Sequence, residues 1–379
     1  MDKPEMQPII DRVDRELIIK ELTNDKFVRT TRRGGNEIYE VTSENSPNTM
    51  REIGRTREIS FRTAGGGTGL PSDIDAFDID KEHPYKQLIV WDPEEKEIIG
   101  GYRYILCKGI HPENMATREL FNFSDKFVNE IMPVTIELGR SFVQPMYQRL
   151  NLRRKGIYAV DNLWDGLGAL MVKYPEYKYF FGKVTMYKDY DVIARNFLLN
   201  FMKIYFPDPD KLVTCIEPLD IDEANPIYSE PYAGLPVDEA FHKMQHEVRA
   251  HGEQVPPLIN SYISLSDTMR TFGTCNNYGF GGVEETGILI YIPDIKTEKA
   301  ERHVQPMKDL ADKLLSDWFK RREKIQRAAE ERSQNWKRAV NRARKFARQN
   351  SGKESDRDGM KKKRERKSWR FRIRRKGDN

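Results

Sequence analysis

The sequence predicts an α/β or α+β protein, a mixed central sheet flanked by helices, with a basic tail appended. Three observations carry this expectation. Two apolar runs, KQLIVW at 86–91 and EIIGGYRYIL at 97–106, flank Asp92-Pro93-Glu94-Glu95-Lys96 and read as a hairpin. Strand-like and helix-like periodicities then alternate between 134 and 205. From about residue 300 the pattern changes to highly charged, helix-forming stretches.

Taken in order, Ile9, Ile10, Val13, Leu17, Ile18 and Leu22 make a helical stripe over 9–22, and residues 37–41 alternate as a strand. TAGGGTGLPS at 63–72 reads as a long flexible loop. After the hairpin, VTIELGRSFV at 134–143 is a third strand. Leu163, Trp164, Leu167 and Leu170 mark a helix over 157–173, which Pro175 stops. YFFGKVTMY at 179–187 is a strand, and 191–205 is a helix with Ile193, Phe197, Leu198, Phe201 and Met202 inward. Residues 207–255 are polar and proline-rich and read as irregular; 256–267 reads as a helix and 288–295 as a last strand. Val304, Met307, Leu310, Ala311, Leu314, Leu315 and Trp318 share a helical face, 323–348 is nearly all helix formers, and 351–379 has the composition of disorder. The organisation expected is an N-terminal helix and strand at 1–44, a body at 45–299 and a basic helical to disordered tail at 300–379.

Composition excludes several classes. The 379 residues contain no apolar window of about 18, so no spanning helix is expected. The start, MDKPEMQPIIDRVDREL, has no apolar core of a signal peptide. Cys107, Cys215 and Cys275 are scattered, which argues against a disulfide framework and for the cytoplasm. The net charge of +5 hides an asymmetry: residues 301–379 hold 28 Lys and Arg against 12 Asp and Glu, leaving 36 against 47 in 1–300. The acidic body makes nucleic acid an unlikely partner, despite the basic tail. In that tail Trp336, Val340, Ala343 and Ala347 line one helical face flanked by Lys and Arg. Such a helix suits peripheral contact with an anionic membrane through 323–379, each basic residue adding ~1 kcal/mol.

Most motif-like clusters have a plain reading. Gly65-Gly66-Gly67-Thr68-Gly69 lacks the Lys-Ser/Thr of a phosphate loop. Asp73, Asp75, Asp78 and Asp80 lack the glycine and glutamate of a calcium loop. His242 and His246 lack the Glu of a zinc-protease helix, because Lys243 stands there. No metal is expected. Glu137-Leu138-Gly139-Arg140-Ser141 carries more information. Alternation puts Glu137, Gly139 and Ser141 on one face and Leu138 and Arg140 on the other. An acid within an apolar strand is costly unless it is paired or working. Its partner would be Arg57, Arg62 or Arg103, or its task catalytic.

Arg57-Glu58-Ile59-Ser60-Phe61-Arg62, Asp75-Ala76-Phe77-Asp78, Leu88-Ile89-Val90-Trp91-Asp92, Gly100-Gly101-Tyr102-Arg103 and Glu137-Leu138-Gly139-Arg140-Ser141 follow one another in a fixed order. With Pro256-Pro257-Leu258-Ile259 and Gly287-Ile288-Leu289-Ile290, this series resembles the hemolysin-like branch of the GNAT acyltransferases. That branch includes the N-acyltransferases that begin ornithine-lipid and glycine-lipid synthesis. The resemblance implies a GNAT fold with 134–143 as central strand and 179–187 as its splayed neighbour. It implies transfer of a fatty acyl group, often 3-hydroxylated, from acyl carrier protein to the amine of an amino acid, glycine or ornithine, with no cofactor. Arg149-Leu150-Asn151-Leu152-Arg153-Arg154-Lys155-Gly156 lacks the glycine pair of acetyl-CoA users, which favours a carrier-protein donor. Within this frame Glu137 is the candidate base, with Arg140 and Ser141 beside it. The oxyanion donors fall near Ser141, Phe142 and Val143, and Arg57, Arg62, Asp75, Asp78 and Arg103 are candidate substrate contacts. The branch is also similar to acyl-homoserine-lactone synthases, so a signal synthase is one alternative; a non-enzymatic nucleic-acid-binding protein acting through the basic tail is the other. A cytoplasmic enzyme, peripheral at the membrane's inner face, is expected.

Overall fold

Runs of Ile, Val, Tyr and Trp suit a pleated, buried surface, and here they build an eight-stranded sheet in the order β1-β2-β3-β4-β6-β7-β10-β9. The strands are β1 (Phe27–Thr30), β2 (Glu37–Val41), β3 (Lys86–Asp92), β4 (Glu97–Leu106), β6 (Thr135–Val143), β7 (Tyr179–Met186), β9 (Arg270–Asn277) and β10 (Val283–Tyr291). A separate pair joins β5 (Phe121–Phe123) to β8 (Val213–Cys215). The computed structural model describes residues 6–148, 158–221 and 225–304, with the single positions 309 and 327. The chain divides into two units, Met1–Lys308 and Asp309–Asn379, and the sheet belongs to the first. The expected tail helix over 323–348, the disorder over 351–379, most of the helical face beyond Val304 and the segment 149–156 lie outside the described residues.

Neighbouring strands pair antiparallel throughout, except that β6 and β7 run parallel. Parallel neighbours require a crossover, and it includes the helix Ala159–Lys173. This helix packs on one sheet face together with Val192–Tyr205, Val237–Ala250 and Pro257–Ile263, around Leu163, Leu170, Phe197, Phe201, Met244 and Ile259. The helix Pro47–Thr63 covers part of the opposite face, where Met50, Ile53 and Phe61 meet Ile89, Trp91 and Phe142. The architecture is the expected one, a mixed sheet flanked by helices. Among the described residues, no helix is long and apolar enough to cross a membrane.

Several elements differ from expectation. The helix Pro47–Thr63 gave no apolar stripe because its buried side includes Glu52, Thr56, Arg57, Glu58 and Ser60. Residues 207–255 are not wholly irregular: Val237–Ala250 is a helix that buries only Ala240, Met244 and Val248, a stripe too thin to read. The first helix is Arg15–Glu21 rather than 9–22, because Asp14 caps it and Val13 is drawn out to donate its N–H to Glu52. β1 and β9 had no counterpart in the sequence reading, and β10 begins at Val283 rather than 288. The glycine loop at 63–72 is tied down. Glu58 accepts hydrogen bonds from the Thr68 and Gly69 N–H groups and the Thr68 hydroxyl. His242 and His246 are exposed on their helix.

Candidate active site

Arg57 is wholly buried on the helix Pro47–Thr63. Its Nη1 lies 3.0 Å from Asp78 Oδ2, and its Nη2 donates to Gln87 Oε1. Gln87 in turn donates to Asp78 Oδ1 at 2.9 Å. Arg103, on β4, reaches Asp75 at 2.6 Å and Asp78 at 3.1 Å, and stacks over the Tyr85 ring. Arg140, on β6, pairs with Asp73 at 3.0 Å and Asp75 at 3.5 Å, and lies over the Phe280 ring. Asp75 and Asp78 are held by a capping box at the turn Ala76–Ile79. Three arginines and three aspartates therefore interlock. Burial raises the proton affinity of the Asp78 carboxyl, but Arg57 and Arg103 outweigh it and hold that carboxyl below the usual range.

Arg140 shares the side of the sheet on which Asp73 and Asp75 lie, contrary to simple alternation. Arg103 pairs with Gly139 and Gly101 with Phe142, so two residues of β6, Arg140 and Ser141, oppose Tyr102 alone. Arg140 takes a left-handed φ of 51° in this bulge. That conformation costs a non-glycine residue about 1–3 kcal/mol, offset here by its two ion pairs. Gly100 permits the approach, since a Cβ there would come within 2.3 Å of the Phe142 carbonyl oxygen.

Glu137 is fully buried on β6. Its partners are not the arginines expected: the Tyr85 hydroxyl donates to Oε2 and the Thr117 N–H to Oε1 at 2.8 Å. Desolvation raises its pKa above the ordinary carboxylate value, although these hydrogen bonds and the Arg103 charge act against the shift.

Glu137 also marks an apex. β6 and β7 pair only at Thr135↔Tyr179, Ile136↔Phe180 and Glu137↔Phe181. Beyond that point β6 stays with β4 while β7 follows β10 along its whole length. A mainly apolar pocket opens between them, with about 700 Å³ of empty space, part of it open solvent. Leu138, Gly139, Arg140 and Ser141 line one side, Gly182 and Lys183 the other, and Leu163, Trp164 and Tyr262 the far wall. Tyr102 also lines it; its buried hydroxyl has no hydrogen-bond partner.

Residues 56–154 match the acetyltransferase (GNAT) domain. The chain is 50% identical over 305 residues to a glycine N(alpha)-acyltransferase of Bacteroides thetaiotaomicron, covering 79% of this chain and 90% of that protein. The chain belongs to this family of GNAT acyltransferases. The acyltransferase is also 48% identical to a glycine N(alpha)-acyltransferase of Phocaeicola vulgatus over 79% of its own length and 93% of the relative's. No solved structure matches it significantly.

The acyltransferase brings Arg57, Asp75, Asp78, Arg103 and Arg140 into one network, with Glu137 beside it through Tyr85 and Arg103. Ser141 lines the pocket. Arg62 stands apart, paired with Glu58 and donating to the Gln7 and Leu70 carbonyls. Phe142 packs edge-on against Phe61, and Val143 lies against the helical core. The sequence offered Asp73 only as part of an acidic cluster, and Tyr85, Gln87, Tyr102 and Thr117 were not among the candidates. Gln87 and Tyr102 carried a signal, as polar groups in apolar strands; Thr117 contributes a backbone N–H and carried none.

Proposed function

We propose that this enzyme transfers a 3-hydroxylated fatty acyl group from acyl carrier protein to the amine of glycine, opening an aminolipid synthesis. The observation that carries the reading is the parting of β6 and β7 at Glu137, which leaves an apolar slot for a thioester beside a buried acid. The acceptor is taken from the names of the two relatives. The donor is supported by the 149–156 sequence, which lacks the glycine pair suited to a coenzyme pyrophosphate.

In this mechanism the glycine amine attacks the thioester carbon and its proton passes to Glu137, directly or through a water. The collapsing intermediate expels the carrier thiolate, which takes up a proton. Backbone N–H groups of residues 141–143 that face the open slot stabilise the oxyanion. Arg140, fixed by Asp73 and Asp75, adds positive charge next to them. Arg57, Asp78 and Arg103 act as a positioning frame, holding Asp75 and Arg140 where the acceptor docks.

The unpartnered Tyr102 hydroxyl supports a hydroxylated chain, because a buried orphan costs ~1–3 kcal/mol that a ligand hydroxyl can recover. The test compares 3-hydroxyacyl carrier protein, the plain acyl carrier protein and acetyl-CoA as donors. Carrier-bound donors should far exceed acetyl-CoA, the hydroxylated one should lead by about tenfold, and Tyr102→Phe should erase that lead. Comparable rates with acetyl-CoA contradict the carrier-protein donor.

The tail would hold the enzyme at the surface that receives its product. Full-length protein should sediment with anionic vesicles at low salt and be released at high salt, whereas residues 1–308 should stay in solution. Equal binding by both forms, or by neither, removes the tail from this role.

A further inference from the structure

An amino-acid acceptor brings a carboxylate as well as an amine, and that carboxylate needs a cation. Each arginine of the site is already engaged. Arg57 is committed to Asp78, Gln87 and the Asp73 carbonyl. Arg103 holds Asp75 and Asp78, Arg140 holds Asp73 and Asp75, and Arg62 is bound elsewhere. Freeing any of them for a substrate would strand a carboxylate, most of these being buried, at a cost of several kcal/mol.

Lys183 differs. It lies on β7 two residues past Phe181, the last residue of that strand paired with β6, and it lines the pocket opposite Gly139, Arg140 and Ser141. Its ammonium pairs with Glu285 of β10 at 2.6 Å. An ammonium carries three donors, and Glu285 accounts for one. Glu285 is itself immobilised: it is buried, and it accepts from the Asn277 amide at 2.8 Å and the Thr185 hydroxyl at 3.1 Å. A charged pair within apolar strands, at the edge of a substrate pocket, is costly as plain architecture and useful as a fixed cation. Across the gap stands Arg140, close enough to stabilise the Glu285 charge.

We propose that Lys183, held in place by Glu285, binds the carboxylate of the acceptor amino acid and so selects α-amino acids over simple amines. This rests on the glycine-acceptor reading above. A carboxylate seated at Lys183 would leave the amine of so short an acceptor near Gly139 and Ser141, which line the pocket two and four residues past Glu137 on β6.

The test uses the full-length chain with acyl carrier protein thioester, and glycine or glycinamide as acceptor. The wild type should favour glycine strongly. Lys183→Met should raise the glycine KM by about tenfold to a hundredfold, the range for losing a charge-assisted hydrogen bond, with a much smaller change in kcat. Its preference for glycine over glycinamide should collapse. The double variant Lys183→Met with Glu285→Gln removes the stranded acid, and should fold and behave as the single variant does. An unchanged KM and an unchanged preference in a folded variant overturn the assignment of Lys183 alone. A wild type that acylates no glycine overturns the acceptor reading and this proposal with it.

Discussion

Glu137→Gln is expected to lower turnover by ~10²-fold or more while leaving the protein folded, the usual scale for loss of a general base. Gln is nearly isosteric, and its amide oxygen can still accept the Thr117 N–H that Glu137 binds at 2.8 Å. The Tyr85 hydroxyl can turn to accept from the amide nitrogen. A neutral side chain also avoids the desolvation that raises the Glu137 pKa. Stability should therefore be unchanged or slightly higher. The pH profile gives an independent reading. In the wild type kcat/KM should fall as pH drops through the raised pKa of Glu137, because the protonated acid cannot accept a proton. That acid limb should disappear in the variant, whereas the limb set by the glycine amine should persist in both. Near-normal turnover in a folded Gln variant would leave Glu137 as a neutralised core acid and nothing more.

Arg57→Met is expected to cost about 3–5 kcal/mol of stability, because it removes one member of a fully buried ion pair. Of its two arginines Asp78 would keep only Arg103, and Gln87 and the Asp73 carbonyl would lose a donor. The sign of the pH dependence follows from Asp78, whose folded pKa is depressed. Its contribution is therefore fully present above the unfolded value of about 3.9, and is lost as pH falls through the folded one. In the variant the stranded carboxylate is relieved once it protonates. Urea unfolding of wild type and variant should thus differ most near pH 7, and the gap should narrow in acid. A deficit below about 1 kcal/mol, or one independent of pH, contradicts a charge-locked frame.

The sheet was legible where apolar runs are long, as in β3, β4, β6 and β7, since burial on both faces demands such runs. It was illegible where burial is polar. The helix Pro47–Thr63 turns Glu52, Arg57 and Glu58 inward, so the hydrophobic period that announces a helix is missing there. Of these, Arg57 enters the ion-pair frame with Asp78, so one of the residues that hid the element also builds the site. Arg57, Asp75, Asp78, Arg103, Glu137 and Arg140 were named through the motif series that carries the family resemblance. The face on which Arg140 lies was not, because a bulge of one residue resets alternation. Lys183 and Glu285 bore the same mark as Glu137, a charge inside an apolar strand, but that Lys183 lines the pocket follows only from the splay of β6 from β7.

An amide between a fatty acyl group and glycine, the proposed product of this chain, is itself a lipid. The most direct measurement is lipid mass spectrometry of a bacterium that lacks amino-acid lipids, expressing the full chain or its Glu137→Gln variant. Cells with the unaltered chain should contain new N-acylglycine species with 3-hydroxylated chains, nearly absent with the variant. No new lipid, or a new lipid with a head group other than glycine, contradicts the proposed product.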